Sequence, residues 1–196
     1  MKVKQVEPTL FDTTIDVYEY LLVISLPQAV VNDVKRYKHL VSNLCGRFDS
    51  QFSTAHITIA NIFIPIEREA GLLEQIKETA KVHTKFKLSL QNFAAFENTR
   101  TIYLNPVKKE PILAITKTAV NKIIYGKVIS KKKQLVYWKN PHLTIAKKLN
   151  PIQFKIAWQE FSKMKYQASF DVDCLTLLKR DENWNYKKFK EFKLKA

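Results

Sequence analysis

Five residues recur in this chain almost unchanged, as HITIA at 56–60 and as HLTIA at 142–146. Their first residues lie 86 positions apart (142 − 56) in a sequence of 196. Both copies read as strands, and a strand sends successive side chains to opposite faces. His56 and Thr58 therefore point one way, with Ile57 and Ile59 behind them. His142 and Thr144 pair in the same sense, with Leu143 and Ile145 behind. The chain has only four histidines, and two of them open these copies. Each copy is expected to offer one imidazole and one hydroxyl on the open side of a buried strand.

The surrounding pattern repeats as well. In the first half a strand is expected over 20–26, closed by Pro27. A helix follows over 28–45, with Val30, Val34, Tyr37, Val41 and Leu44 at helical spacing and Gly46 as its stop. The motif strand spans 53–64, a helix 67–83, and a further strand 85–90 leads into 93–96. In the second half a strand covers 101–107, and Pro111 opens a helix through Leu113, Thr116, Val120 and Ile124 that Gly126 ends. The second motif lies in a strand over 134–147. Asn150 caps a helix with Pro151 in its first turn and a stripe through Phe154, Ala157, Trp158, Phe161 and Met164. Strands over 169–178 and 184–194 finish the chain. The spacing is that of a duplicated lobe and not of a short-period solenoid. It predicts one domain over 19–196 after a lead-in of 1–18, with pseudo-symmetric lobes at about 19–98 and 99–196. With three glycines and no Gly-, Pro- or Ser-rich linker, a single rigid body around a central groove is expected.

Charge bears on the partner. The net charge is +15, but residues 1–100 carry 12 basic and 11 acidic side chains, whereas 101–196 carry 21 and 7. A field of that sign attracts polyanions. Arginines are few, and Arg180 is the only one in the basic half. Phosphate contacts are therefore expected from point-charge lysines more than from bidentate forks. No apolar run is long enough for a membrane span, and Lys2 and Lys4 are not followed by the apolar stretch of a secretory leader. Cys45 and Cys174 form no C-x-x-C spacing and read as reduced, buried thiols of a cytoplasmic protein. His39 and His83 fall in expected helices, and no motif brings Cys or carboxylate at metal-ligand spacing. Nucleophile elbow, Walker A loop and dinucleotide fingerprint are all missing from the sequence.

Two imidazoles and two small hydroxyls facing one groove suit displacement at phosphorus. A neutral imidazole takes a proton from the attacking oxygen, and an imidazolium opposite gives one to the leaving oxygen. Threonine hydroxyls donate hydrogen bonds to the non-bridging oxygens. With these residues the chain resembles the two-histidine phosphoesterases, also called 2′-5′ RNA ligase-like proteins, over roughly residues 19–180. The resemblance implies an α+β fold of two pseudo-symmetric lobes, each a mostly antiparallel sheet with helices on the outer side. It implies metal-free and cofactor-free chemistry on 2′,3′-cyclic phosphate RNA ends or on small cyclic or 2′-5′ nucleotides. His56 and His142 would be the acid–base pair, and Thr58 and Thr144 the phosphate-holding hydroxyls. Lys147, just after the second motif, falls where the family often has a basic residue. Phe96 and Tyr103, at the mid-chain crossover, are candidate stacking surfaces for a base. The Asn61–Ile64 segment after the first motif has no glycine, unlike one bacterial branch, so the substrate stays open. RNA or a nucleotide is the expected partner, with no membrane and a monomer favoured. The alternative is an RNA-binding module that keeps the scaffold without catalysis.

Overall fold

The computed structural model describes residues 17–196, so the lead-in falls outside the described residues apart from its last two positions. Thirteen elements follow one another: β1 (Val17–Ile24), α1 (Gln28–Cys45), β2 (Ile57–Pro65), α2 (Glu69–Lys81), β3 (Phe86–Phe96), β4 (Thr101–Val107), α3 (Glu110–Tyr125), β5 (Leu135–Tyr137), β6 (Leu143–Ala146), α4 (Pro151–Phe161), β7 (Gln167–Val172), β8 (Cys174–Arg180) and β9 (Tyr186–Lys193). The strands form one antiparallel sheet in the order β7-β3-β4-β6-β2-β1-β8-β9, with β5 also paired to β2. The α+β class is as expected.

The repeat is visible in the register. Ile57 of β2 pairs with Leu143 of β6, and these residues occupy the same place in the two motifs. The two motifs thus meet antiparallel at equivalent residues, as a duplicated lobe would have them. Each motif strand also carries a bulge at the same position. Val23 pairs with Thr58 and Leu22 with Ala60, which leaves Ile59 unpaired. Tyr103 pairs with Thr144 and Ile102 with Ala146, which leaves Ile145 unpaired.

Helices cover one face only. Ile57, Ile59, Leu143 and Ile145 are fully buried against that layer, and the motif His and Thr side chains on the opposite face are partly exposed. α1 packs with α4 over the β4–β6 half, and α2 packs with α3, which reaches β2 and β5. Each pair joins a helix from either repeat. The halves of the sheet are likewise not consecutive halves of the chain, because β3 joins β4 while β8 and β9 return beside β1. A cut near residue 98 thus does not follow the sheet.

Several boundaries differ from the sequence reading for local reasons. The first motif strand begins at Ile57, so His56 stands at its mouth. The expected strand over 134–147 is broken, because residues 138–142 loop out between β5 and β6. The expected strand over 169–178 is two strands meeting at Asp173, where the chain leaves one edge for the other half. The helix over 67–83 is shortened by a 3-10 turn at Ile66–Arg68. On α3 the buried stripe is Ile112, Ile115, Thr116, Ala119, Val120 and Ile123, leaving Leu113 and Ile124 exposed. Asn150 does cap α4, accepting from the Gln153 N–H at 2.8 Å while Gln153 Oε1 accepts from the Asn150 N–H.

The β4–β6 half is held from beneath by aromatic packing across the repeats. The Phe161 ring of α4 meets Phe93 of β3 at 4.9 Å and Tyr37 of α1 at 6.0 Å between centroids, both edge-on. Phe161 is fully buried. Phe161→Ala is expected to lower stability by about 3–5 kcal/mol, measured as a fall in the urea midpoint.

Candidate active site

The four motif side chains surround the single contact between β2 and β6. Because Ile57 and Leu143 face the helices, the residues on either side of each face the groove. His56, Thr58, His142 and Thr144 are therefore each one residue from the same cross-strand contact.

Each imidazole faces a backbone carbonyl two residues upstream, but only His142 is hydrogen-bonded to it. His142 Nδ1 lies 2.8 Å from the Asn140 carbonyl, which only accepts, so the proton is on Nδ1 and Nε2 is free. The Thr54 carbonyl stands in the matching place for His56 and favours its protonation, although the buried Nδ1 completes no hydrogen bond of normal geometry. Burial holds His56 well below its ordinary value, to about 4; the Thr54 carbonyl opposes this, and Lys147, Lys38 and His142 add to it. Burial also lowers His142, against its bond to Asn140, with Lys109 and Lys147 adding to the fall. Both imidazoles are neutral in the free protein at neutral pH, and lysines ring them.

Of the remaining expected site residues, Phe96 and Tyr103 gather beside His142. Their rings stack at 4.4 Å, and they stand 5.0 and 5.4 Å from the imidazole. Burial raises the Tyr103 phenol, so it stays protonated. Lys147 is exposed at the end of β6 and acts on both histidines. Phe93, also at the crossover, lies in the core. His39 is exposed on α1, and His83 Nε2 lies 2.9 Å from Thr118 Oγ1. Among the described residues no three His, Cys, Asp or Glu side chains gather as a metal site.

Sequence reasoning missed Lys38, Lys109 and the serines of the turn before His56. Lys38 carried a signal, since it falls four residues after Val34 and three before Val41, on the apolar stripe of α1. It is 4% exposed. Its ammonium donates to the Ser50 carbonyl at 2.8 Å and to the Ser53 carbonyl and hydroxyl, both at 2.7 Å. The buried Ser50 hydroxyl accepts from the Lys147 N–H at 3.1 Å, which ties this turn to the end of β6.

With this geometry in view, the molecule falls in the class of two-histidine phosphoesterases. The family model described as the 2′-5′ RNA ligase superfamily matches residues 26–184, and the chain belongs to that superfamily. No curated protein matches the sequence significantly. Among solved structures, that of E. coli LigT complexed with 3′-AMP is similar at a TM-score of 0.69 and 12% identity, over 92% of this chain and 100% of that one. TT0787 of Thermus thermophilus is similar at a TM-score of 0.65 and 15% identity, over 90% of this chain and 97% of that one. At these identities the likeness is one of fold. No helix among the described residues is long and apolar enough to cross a membrane.

The depressed His56 value couples stability to acidity. The folded state keeps the ring neutral to about pH 4, whereas the unfolded chain takes up its proton near the ordinary 6.5. Stability is therefore lost as pH falls from about 6.5 towards 4. His56→Gln is expected to flatten this dependence, followed as urea midpoints at pH 7.5, 6 and 5. An equally steep loss in the variant would show that His56 is not its source.

Proposed function

We propose that the protein is a metal-independent phosphodiesterase that opens 2′,3′-cyclic phosphates at RNA ends, or related small cyclic or 2′-5′ nucleotides, by paired-histidine acid–base catalysis. The observation that carries this reading is the placement of both His-x-Thr pairs about one cross-strand contact, Ile57 with Leu143, on the uncovered face of the sheet. Water attacks phosphorus in line with the departing ribose oxygen. One imidazole takes the water's proton through Nε2, and the other donates a proton to the oxygen that leaves. Thr58 and Thr144 donate to the non-bridging oxygens, where charge builds in the transition state. Lys147 and Lys109 favour the anion from the rim. A phosphate between the imidazoles offsets the repulsion from these lysines, which favours the charged imidazole that the reaction requires.

Phe96, half-buried beside His142, offers a stacking face for the base, whereas Tyr103 is buried and backs the Phe96 ring instead of meeting a base itself. LigT has been crystallised with 3′-AMP, with ATP and with NADP+, and a nucleotide is the ligand class we carry over to this chain.

Hydrolysis of a 2′,3′-cyclic nucleotide is expected to proceed in EDTA, with a bell-shaped dependence of kcat on pH. His56→Ala and His142→Ala should each lower kcat at least about 100-fold, and Thr58→Val by about 10–100-fold, with far-UV circular dichroism unchanged. RNA binding without turnover on any cyclic or 2′-5′ substrate would instead mark a binding module. Phe96→Ala should raise KM by about 5–100-fold with little change in kcat, read from initial rates.

A further inference from the structure

The two halves match at the centre of the groove and differ just behind it. Lys38 lies on α1 ten residues after its first residue, and the residue at the same offset in α3 is Val120. Both are buried. One repeat therefore puts an ammonium where the other has a hydrocarbon. A buried lysine is costly unless its charge is met, yet all three hydrogen bonds of Lys38 go to neutral oxygens, and no described carboxylate pairs with it. Its acceptors are the turn at 50–53, three residues ahead of His56.

A second asymmetry runs the other way. Tyr103 is paired with Thr144, but its counterpart opposite Thr58 is Val23, followed across the sheet by Thr176, whose hydroxyl accepts from Ser25 at 2.8 Å. Aromatic rings thus flank His142. Behind the effect of burial, the charged groups that act on His56 are Lys147 after β6, then Lys38 of α1 and His142 before β6; on His142 they are Lys109 before α3 and Lys147. Lys38 acts on one imidazole only.

We propose that Lys38 is a positioning residue that breaks the symmetry of the site, fixing the turn that delivers His56 and reserving that imidazole as the proton acceptor, with His142 as the donor. This rests on the phosphodiesterase reading for its chemistry. The nucleoside lies against Phe96, which Tyr103 backs, so the ribose oxygen leaves on the His142 side. As the water oxygen bonds to phosphorus, its proton passes to His56 Nε2. The bond from phosphorus to the ribose oxygen breaks, and that oxygen takes the proton from His142 Nε2. The ammonium behind His56 disfavours a second positive charge there until the phosphate is bound. Burial, and then the charge of Lys147, lowers Lys38 itself to about 8, so it remains cationic at neutral pH.

The test is titration of the imidazoles by NMR in the free protein, for the wild type and for Lys38→Met, whose side chain fills the stem of the lysine. In the wild type His56 should titrate below His142. In the variant His56 should rise by about one pH unit while His142 stays put, and Lys38→Arg should restore the original order. The acidic limb of kcat/KM on a cyclic-phosphate nucleotide should move up by the same amount. An unmoved His56 in a folded K38M, or an unmoved acidic limb, overturns the assignment. If K38M does not fold, the wild-type order decides, and His142 titrating below His56 overturns it. The titration needs no turnover, so an inactive protein would sink the phosphodiesterase reading alone.

Discussion

One backbone pairing, Ile57 against Leu143, fixes both the sheet and the groove. Both side chains are fully buried in the helix layer. Slipping either strand by one residue would drive a histidine and a threonine into hydrocarbon and leave isoleucine or leucine in water, so the register is strongly specified. The bulges at Ile59 and Ile145 come straight after. They put two successive residues of each strand toward the core, and the second is an alanine both times, Ala60 and Ala146, fully buried. A larger side chain there would compete with its neighbour for the same space. The bulge also sharpens the local twist, and the strands part beyond it. On one side residues 138–142 loop away before β5 resumes the pairing with β2.

Symmetry and asymmetry then divide the work. A displacement at phosphorus needs like groups on opposite flanks, and one repeated strand supplies them. Direction has to come from elsewhere, because two equal imidazoles do not distinguish water from ribose. The periphery differs enough to supply it, with Lys38 against Val120 behind the groove and Tyr103 against Val23 beside it. The crossed connections permit this. Since β3 joins the second half and β8 and β9 the first, each centre is walled by residues from both repeats. The aromatic wall next to His142 is built by Phe96 from the first repeat and Tyr103 from the second. Changes there leave the central pairing untouched.

The sequence disclosed local order far better than long-range partnership. The motif strands, the caps at Asn150 and Pro151, and the stops at Gly46 and Gly126 are signals of a few residues, and each coincides with an element end. The crossing of β3, β8 and β9 has no such local signal, because it depends on which sheet edge is open when each strand arrives. The break at 138–142 did carry a signal in Pro141, which lacks the N–H that a central strand donates, but the β-formers of Gln134–Lys147 on either side of it read as one strand. Of the α3 stripe, Thr116 and Val120 turn inward as read, but Leu113 and Ile124 do not, since they are as apolar as the isoleucines beside them and only packing decides which of these turns inward. Lys38 was passed over because a lysine within an apolar stripe reads as a surface residue whose stem lies along the core.

The choice of lysine and burial around the imidazoles has a consequence for how the site rests. In the free protein desolvation and neighbouring cations act together, and both rings stay uncharged at neutral pH. A site already holding an imidazolium among lysines would attract anions more strongly, but it would lack the base that starts the reaction. A site with neutral rings and a carboxylate to balance the lysines would lose its pull on an anion. In the proposed reaction, neutral imidazoles among cations meet both demands. The field would draw a phosphate in, and the phosphate, once bound, would offset the cations that kept the rings neutral. Of the two rings, His142 has the stronger claim to the added proton, because its Nδ1 proton is bonded to the Asn140 carbonyl and no buried ammonium stands behind it. On the proposed mechanism, protonation of the donor is coupled to arrival of the ligand, and the buried lysine biases which ring receives the charge.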